Sequence, residues 1–321
     1  MTLLEQLDST FGFCVDKIEG RGEDSWFYSF NERAGIFGIF DGCGGSGSQT
    51  YEQAGGHTGA YMASRTAADA ARRWFEQYCQ GGSDSLEGYL TESLQYCAET
   101  IGAKVSKIRS SMFRCLPTTV ALWLISVQEN RLLATSISAG DSRTFLLDAS
   151  GLKQVSTDDL HGEDAMSDIY SSAVMTNVVS AEGENHLHIR NVHQLPGCKF
   201  DEEVPCVLFA CSDGCFGYLR SPMEFEYLML ETLMRACSIQ EWQELIRQEI
   251  GKVAGDDQSM AAAVLNCGSF RTLQDTMRQR YLQLQAMVAE FGEDTEKRWQ
   301  VWDGTYKYDY YSLSEGGVPE R

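Results

Sequence analysis

The stretch WFYSFNERAGIFGIFDGCGGSG, residues 26–47, decides the fold class. Residues 26–31 and 34–40 are aromatic and aliphatic runs separated by a short polar turn, so they predict a β-hairpin. The second strand runs straight into Asp41, and the glycines from Gly42 to Gly47 are too permissive for regular structure. An acidic side chain is thereby delivered to the end of an apolar strand.

Beyond the glycines, Ala, Met, Trp and Phe recur at helical spacing over residues 52–80, and Gly81 and Gly82 stop that helix. Ser83 or Asp84 can cap the next, whose apolar face is Leu86, Leu90, Leu94, Ile101, Val105 and Ile108. Two long helices in succession predict an antiparallel pair. After Pro117 come β-rich runs at 118–127, 131–138 and 144–148, an antiparallel meander. Residues 156–200 are polar and weakly patterned, so a flap or irregular loop is expected. Residues 204–211 then predict a buried strand, 221–236 and 239–254 helices, and 259–266 a final strand. Strands, helices, strands, helices, strand: this segregated order gives an α+β fold with sheets flanked by helices. A doubly wound parallel sheet would need strict alternation.

The folded unit is expected to span residues 1–267. In 268–321, Leu273, Met277, Tyr281, Leu284, Val288 and Phe291 form an amphipathic helix, followed by an aromatic tail from Trp299 to Tyr311. That segment is expected to dock on the core or on a protein partner.

Composition narrows the function. The formal charge of −20 repels nucleic-acid phosphates and anionic membranes, which excludes both as partners, while an acidic chain attracts cations. Hydrophobic residues make up 43% and Pro is scarce, so most of the chain should be folded. No apolar run approaches a membrane span and the first residues do not resemble a signal peptide, so a cytoplasmic location is expected. The 11 cysteines contain no C-x-x-C pair, and His186, His188 and His193 lack zinc-site spacing.

Five aspartates sit where apolar strands meet turns: Asp24, Asp41, Asp141, Asp213 and Asp256. A lone Asp-Gly is ordinarily a turn. Five at strand edges are a pattern, because clustered carboxylates stay ionised only when cations neutralise them. Hard oxygen donors without paired His or Cys favour Mg²⁺ or Mn²⁺ over zinc, and two such ions can activate water for attack on phosphorus.

These residues resemble the metal-dependent protein phosphatases of the PPM family, type 2C. Phe37 to Gly45, Phe-Gly-Ile-Phe-Asp-Gly-Cys-Gly-Gly, is similar to that family's Phe-Asp-Gly-His-Gly-Gly signature. Glu23 and Asp24 match its Glu-Asp pair, Ala139 to Arg143 its Gly-Asp-Ser-Arg motif, Ser212 to Gly214 its Ser-Asp-Gly motif, and Asp256 with Asp257 its terminal Asp-Asn. The resemblance covers roughly residues 10–267. It implies a four-layer α-β-β-α sandwich, a binuclear Mn²⁺ or Mg²⁺ centre, and phosphoserine or phosphothreonine proteins as substrates. By motif match Asp41 would bridge both ions, the Gly42 carbonyl and Glu23 or Asp24 would serve one, and Asp213 and Asp256 the other. Asp141 would join Asp213 at a weaker third position, and the flap at 156–200 would shape substrate choice.

The pattern breaks in two places. Cys43 stands where the family has the histidine assigned as general acid, leaving Cys43 itself or His57 as proton donor, or Cys43 as a redox switch. Glu19 stands where the family often has a phosphate-binding arginine, for which Arg21 or Lys17 can compensate. Asp257 for Asn, and Asp159 near the family's Asp-His, are milder changes. The alternative reading is a pseudophosphatase or slow phosphatase that serves as a binding module for a phosphoprotein or another partner, because Cys43 replaces the family histidine.

Overall fold

In the computed structural model, which describes residues 1–104, 114–161, 174–183, 185–194 and 204–314, the predicted hairpin borders a five-stranded sheet. In chain order the principal strands are β1 (Leu7–Val15), β2 (Ser25–Phe30), β3 (Ala34–Phe40), β4 (Val120–Gln128) and β5 (Arg131–Ala139). They continue with β6 (Arg143–Asp148), β7 (Gly151–Gln154), β8 (His188–Asn191), β9 (Cys206–Cys211) and β10 (Gln258–Leu265). One sheet has the order β8-β5-β4-β3-β2 and the other β1-β10-β9-β6-β7, with antiparallel pairing throughout.

Side-chain alternation explains why the sheets stack. Phe37 and Ile39 of β3 enter the layer shared with Leu208 of β9 and Ala261 of β10. Ile36 and Phe40, one residue out of phase, enter the layer beneath helices α1 (Gly59–Cys79) and α2 (Leu86–Thr100). Strands apolar on both faces must be covered on both faces. Trp123 ties the sheets together, donating its indole N–H across the interface to the Phe209 carbonyl at 2.8 Å. On the far side α3 (Pro222–Arg235), α4 (Ile239–Gly251) and α5 (Phe270–Phe291) cover the second sheet through residues such as Phe225, Trp242 and Met277. The outcome is the expected four-layer α-β-β-α sandwich.

Several expectations need correction. The first long helix begins at Gly59, not at residue 52, with Thr58 capping it by accepting from the Tyr61 N–H at 3.1 Å. Gly55 and Gly56 take positive φ (69° and 84°), which turns the chain back so that Thr50–Tyr51 pairs with His57–Thr58 instead. The second helix ends at Thr100; Val105 and Ile108 lie outside the described residues. Within 156–200, expected to be irregular, β8 adds a strand to the edge of the first sheet. Other parts of that flap lie outside the described residues. β1, for which the sequence reading made no strand, forms an edge of the second sheet.

The C-terminal segment packs into the chain's own core. Leu273, Met277 and Leu284 of α5 are fully buried with Trp302, Tyr306 and Tyr310 of the tail, in the cluster that holds Phe145, Phe209 and Phe225. At about 1.5–3 kcal/mol for each buried large side chain, that docking is strongly favourable. The apolar stripe offered to a partner is thus buried at home.

Candidate active site

Antiparallel register fixes which strand ends meet. Ser25 pairs with Phe40, Ile39 with Ala121, and Val120 with Ala139. In the facing sheet Cys211 pairs with both Arg143 and Met260. Asp24, Asp41, Asp141, Asp213 and Asp256 are the residues just beyond these ends, so the topology gathers them at one end of the sandwich. With Glu23 they line a single cavity of about 460 Å³, whose wall also includes Gly42 and Cys43.

Local bonds hold each acid. The Asp41 carbonyl accepts from the Thr119 N–H and the Thr118 hydroxyl, both at 2.8 Å, and its own N–H donates to Thr119 Oγ1 at 3.2 Å. Ser259 donates to Asp24 Oδ2. Thr58 donates to Glu23 Oε1, while Ser64 and Arg65 on α1 donate to the Glu23 carbonyl. Asp257 accepts from the backbone N–H groups of Lys17 and Glu23, both at 2.7 Å, and so clamps the loop that carries Glu23 and Asp24. Asp159 accepts from the Gly140 N–H at 3.0 Å and meets His188 Nε2 at 2.8 Å, fixing the turn before Asp141.

The glycines of the two Asp-Gly motifs serve close approach rather than positive φ. A Cβ on Gly42 would sit 2.5 Å from the Ala60 carbonyl oxygen, and one on Gly214 would sit 1.8 Å from that of Asp257.

Electrostatics follow from crowding. Burial raises Asp41 well above the ordinary carboxylate value, and Asp24, Asp213 and Asp141 raise it further. Asp141 is raised for the same reasons, by burial and then by Asp213 and Asp158. Burial pushes Asp24 up to about 7, and burial with Asp256 pushes Asp213 up to about 6. Arg143, paired to Asp158 through Nε at 3.1 and 3.0 Å, offsets part of this repulsion at Asp141 and Asp213, which nonetheless stay raised. Among the described residues lining the cavity, only Arg114 is a cation.

The donor set fits hard divalent cations: buried oxygen ligands that repel one another in the absence of positive charge. Among the described residues, no three His, Cys, Asp or Glu side chains form a ready-made metal-holding group. Asp24 and Asp41 instead act directly on one another, the charge of Asp24 adding to the upward push of burial on Asp41.

Not every predicted residue reaches the cavity. His57 is exposed and stacks on Tyr61 at 3.8 Å; Lys17 and Arg21 are exposed as well, and none of the three lines the wall. Cys43 does, its thiol directed at the Asp41 carbonyl at 3.9 Å and its pKa raised by burial, then by Asp41 and Asp141. Arg114 was missed. The available signal was its place just ahead of β4, the strand that pairs with the one delivering Asp41.

Facing antiparallel sheets, outer helices and an acidic cavity at one end form a sandwich whose fold recurs in solved structures. A bacterial serine phosphatase aligns with 81% of this chain and 98% of its own at 15% identity and a TM-score of 0.53. The serine/threonine phosphatase Stp1 from Staphylococcus aureus aligns with 80% of this chain and 94% of its own, at 16% identity and 0.51. A C. elegans sex determining protein covers 84% of this chain and 67% of its own, at 14% identity and 0.53. No family model and no curated protein matches the sequence. The chain therefore shares its fold with these solved proteins, two of which are phosphatases.

Proposed function

We propose that the protein hydrolyses phosphoserine and phosphothreonine in other proteins, using two Mn²⁺ or Mg²⁺ ions and a weaker third. The observation that carries this reading is the meeting of Asp24, Asp41, Asp141, Asp213 and Asp256, remote in sequence, on one cavity wall. A scaffold has no physical need for so many like charges in one place. Asp41 would serve both principal ions, the Gly42 carbonyl and Glu23 or Asp24 one of them, Asp213 and Asp256 the other, and Asp141 with Asp213 the third. When bound, such ions make a water nucleophilic at neutral pH and offset charge on the phosphoryl oxygens.

The chain's own groups position and protonate. Threonines 118 and 119 hold the Asp41 backbone, Ser259 orients Asp24, and Asp257 clamps the loop between them and the surface. Cys43 occupies the wall next to Asp41, where its thiol can offer a proton to the leaving oxygen. General-acid assistance is worth about 10² to 10⁴ in rate, so a weak donor makes a slow enzyme rather than an inert one. The described cysteines are free, which supports work in a reducing compartment such as the cytoplasm.

Phosphate release from a phosphoserine peptide, with and without Mn²⁺, tests the reading. Turnover should require the ion. Equal rates in chelator, or calorimetric Mn²⁺ binding without turnover, would overturn it.

A further inference from the structure

We propose that Arg114 is the side chain that binds the substrate's phosphoryl group, in place of the exposed Arg21 and Lys17. The inference rests on the phosphatase reading above. Three observations carry it. First, Arg114 lines the same cavity wall as Asp41, Cys43 and Asp213, and it is the cation there among the described residues.

Second, its guanidinium makes no ion pair or hydrogen bond among the described residues, whereas the other arginines near the site are engaged. Arg143 is paired with Asp158, and Arg65 donates to the Glu23 and Gly22 carbonyls while lying 3.5 Å over the Tyr61 ring. A guanidinium left beside a concentration of carboxylates yet bonded to none of them has its planar donor fork available to an incoming phosphate.

Third, its backbone is fixed on both sides. The Arg114 N–H donates to the Ser46 carbonyl at 3.1 Å and the Cys43 N–H to the Pro117 carbonyl at 3.1 Å, which ties 114–117 to the loop after Asp41. On the other side Cys115 donates to Glu182 Oε1 at 2.7 Å and accepts from the Ala181 N–H at 2.9 Å. The arginine therefore springs from a held segment rather than a surface loop. The backbones of Lys17 and Arg21 are bonded too, but their side chains lie on the exposed surface and outside the cavity wall.

The test compares the full-length protein in Mn²⁺ with its Arg114→Ala, Arg114→Lys and Arg21→Ala variants. Three quantities are read: KM and kcat for a phosphoserine peptide, the inhibition constant of inorganic phosphate, and the peptide's affinity by calorimetry. Arg114→Ala should raise KM and the phosphate inhibition constant together by about 10- to 100-fold, the loss of one charge-assisted bidentate contact. Arg114→Lys should recover part of both, and Arg21→Ala, which removes the same unit of charge, should change neither. Wild-type phosphate inhibition and peptide affinity in Arg114→Ala, or the shift appearing in Arg21→Ala, would overturn the proposal. If wild type binds peptide without turnover, the catalytic reading fails while the affinity comparison still decides the role of Arg114.

Discussion

Two regions of this molecule bury carboxylates and treat them in opposite ways. Glu226 on α3 is fully buried and receives Arg280 Nε at 2.6 Å, Arg280 Nη2 at 2.9 Å and the Tyr306 hydroxyl. At the cavity, Asp24 is 6% exposed and finds a serine hydroxyl and another carboxylate. A buried charge supplied with its own counter-charge is part of the construction, here bolting α5 and the tail onto α3. A set of buried acids left without enough counter-charge is completed from outside, which is what a cation site requires.

The largest effect that this contrast predicts is at Asp41. Asp41→Asn should lower Mn²⁺-dependent turnover by at least about 10³-fold, since Lewis-acid stabilisation is worth several kcal/mol. The same change should leave the melting temperature in chelator unchanged or higher, because it removes a repelled charge. A variant that melts well below wild type in chelator would mean that Asp41 is part of the construction after all.

Next comes Glu226. Glu226→Gln leaves the largely covered Arg280 without its charge partner and should cost about 3 kcal/mol in urea unfolding. Turnover per folded molecule should stay the same, since neither residue lines the cavity. A loss below about 1 kcal/mol would erase the contrast from the other side.

A pH titration of stability sharpens it further. Burial lifts Asp24 from an ordinary 3.8 to about 7. A carboxyl with a raised folded pKa holds its proton more tightly when folded, so its stabilisation is complete below its ordinary pKa and lost as pH rises through the folded one. In chelator the protein should therefore lose on the order of a few kcal/mol between pH 4 and 7. Asp24→Asn should make that slope shallower, leaving the contribution of Asp41, which has the same sign. A wild-type profile that is flat across this interval would show that the cavity acids are not repelled in the fold.

The sequence made the strands legible where both faces are apolar, as in β3, β9 and β10, because a continuous apolar run bounded by acidic turns has few other readings. β1 was harder to read. In LDSTFGFCV only Phe11 and Phe13 are buried, as expected of an edge strand, and the polar run Asp8, Ser9 and Thr10 ahead of them hides the alternation. The early start assigned to α1 had a similar cause: apolar spacing carried through Gly55 and Gly56, although their left-handed φ values end any helix there. The acids of the cavity were legible because each sits at a strand end in a turn motif. Arg114 was not, since a lone basic residue before a proline has no local pattern and its meaning comes only from β4 lying beside β3.

The smallest effect concerns Cys43, and it isolates proton donation from metal chemistry. Cys43→His should accelerate phosphoserine hydrolysis by about tenfold, below the full general-acid contribution because the site is built around a thiol. An aryl phosphate such as p-nitrophenyl phosphate has a leaving group that needs little protonation, so its rate should change much less. The ratio of the two rates is the informative quantity, since a change in ion binding would move both substrates together. Equal acceleration of both would show that position 43 acts through the acids around it. No acceleration of either would mean that proton transfer does not limit this site, leaving ion loading or product release as the slow step.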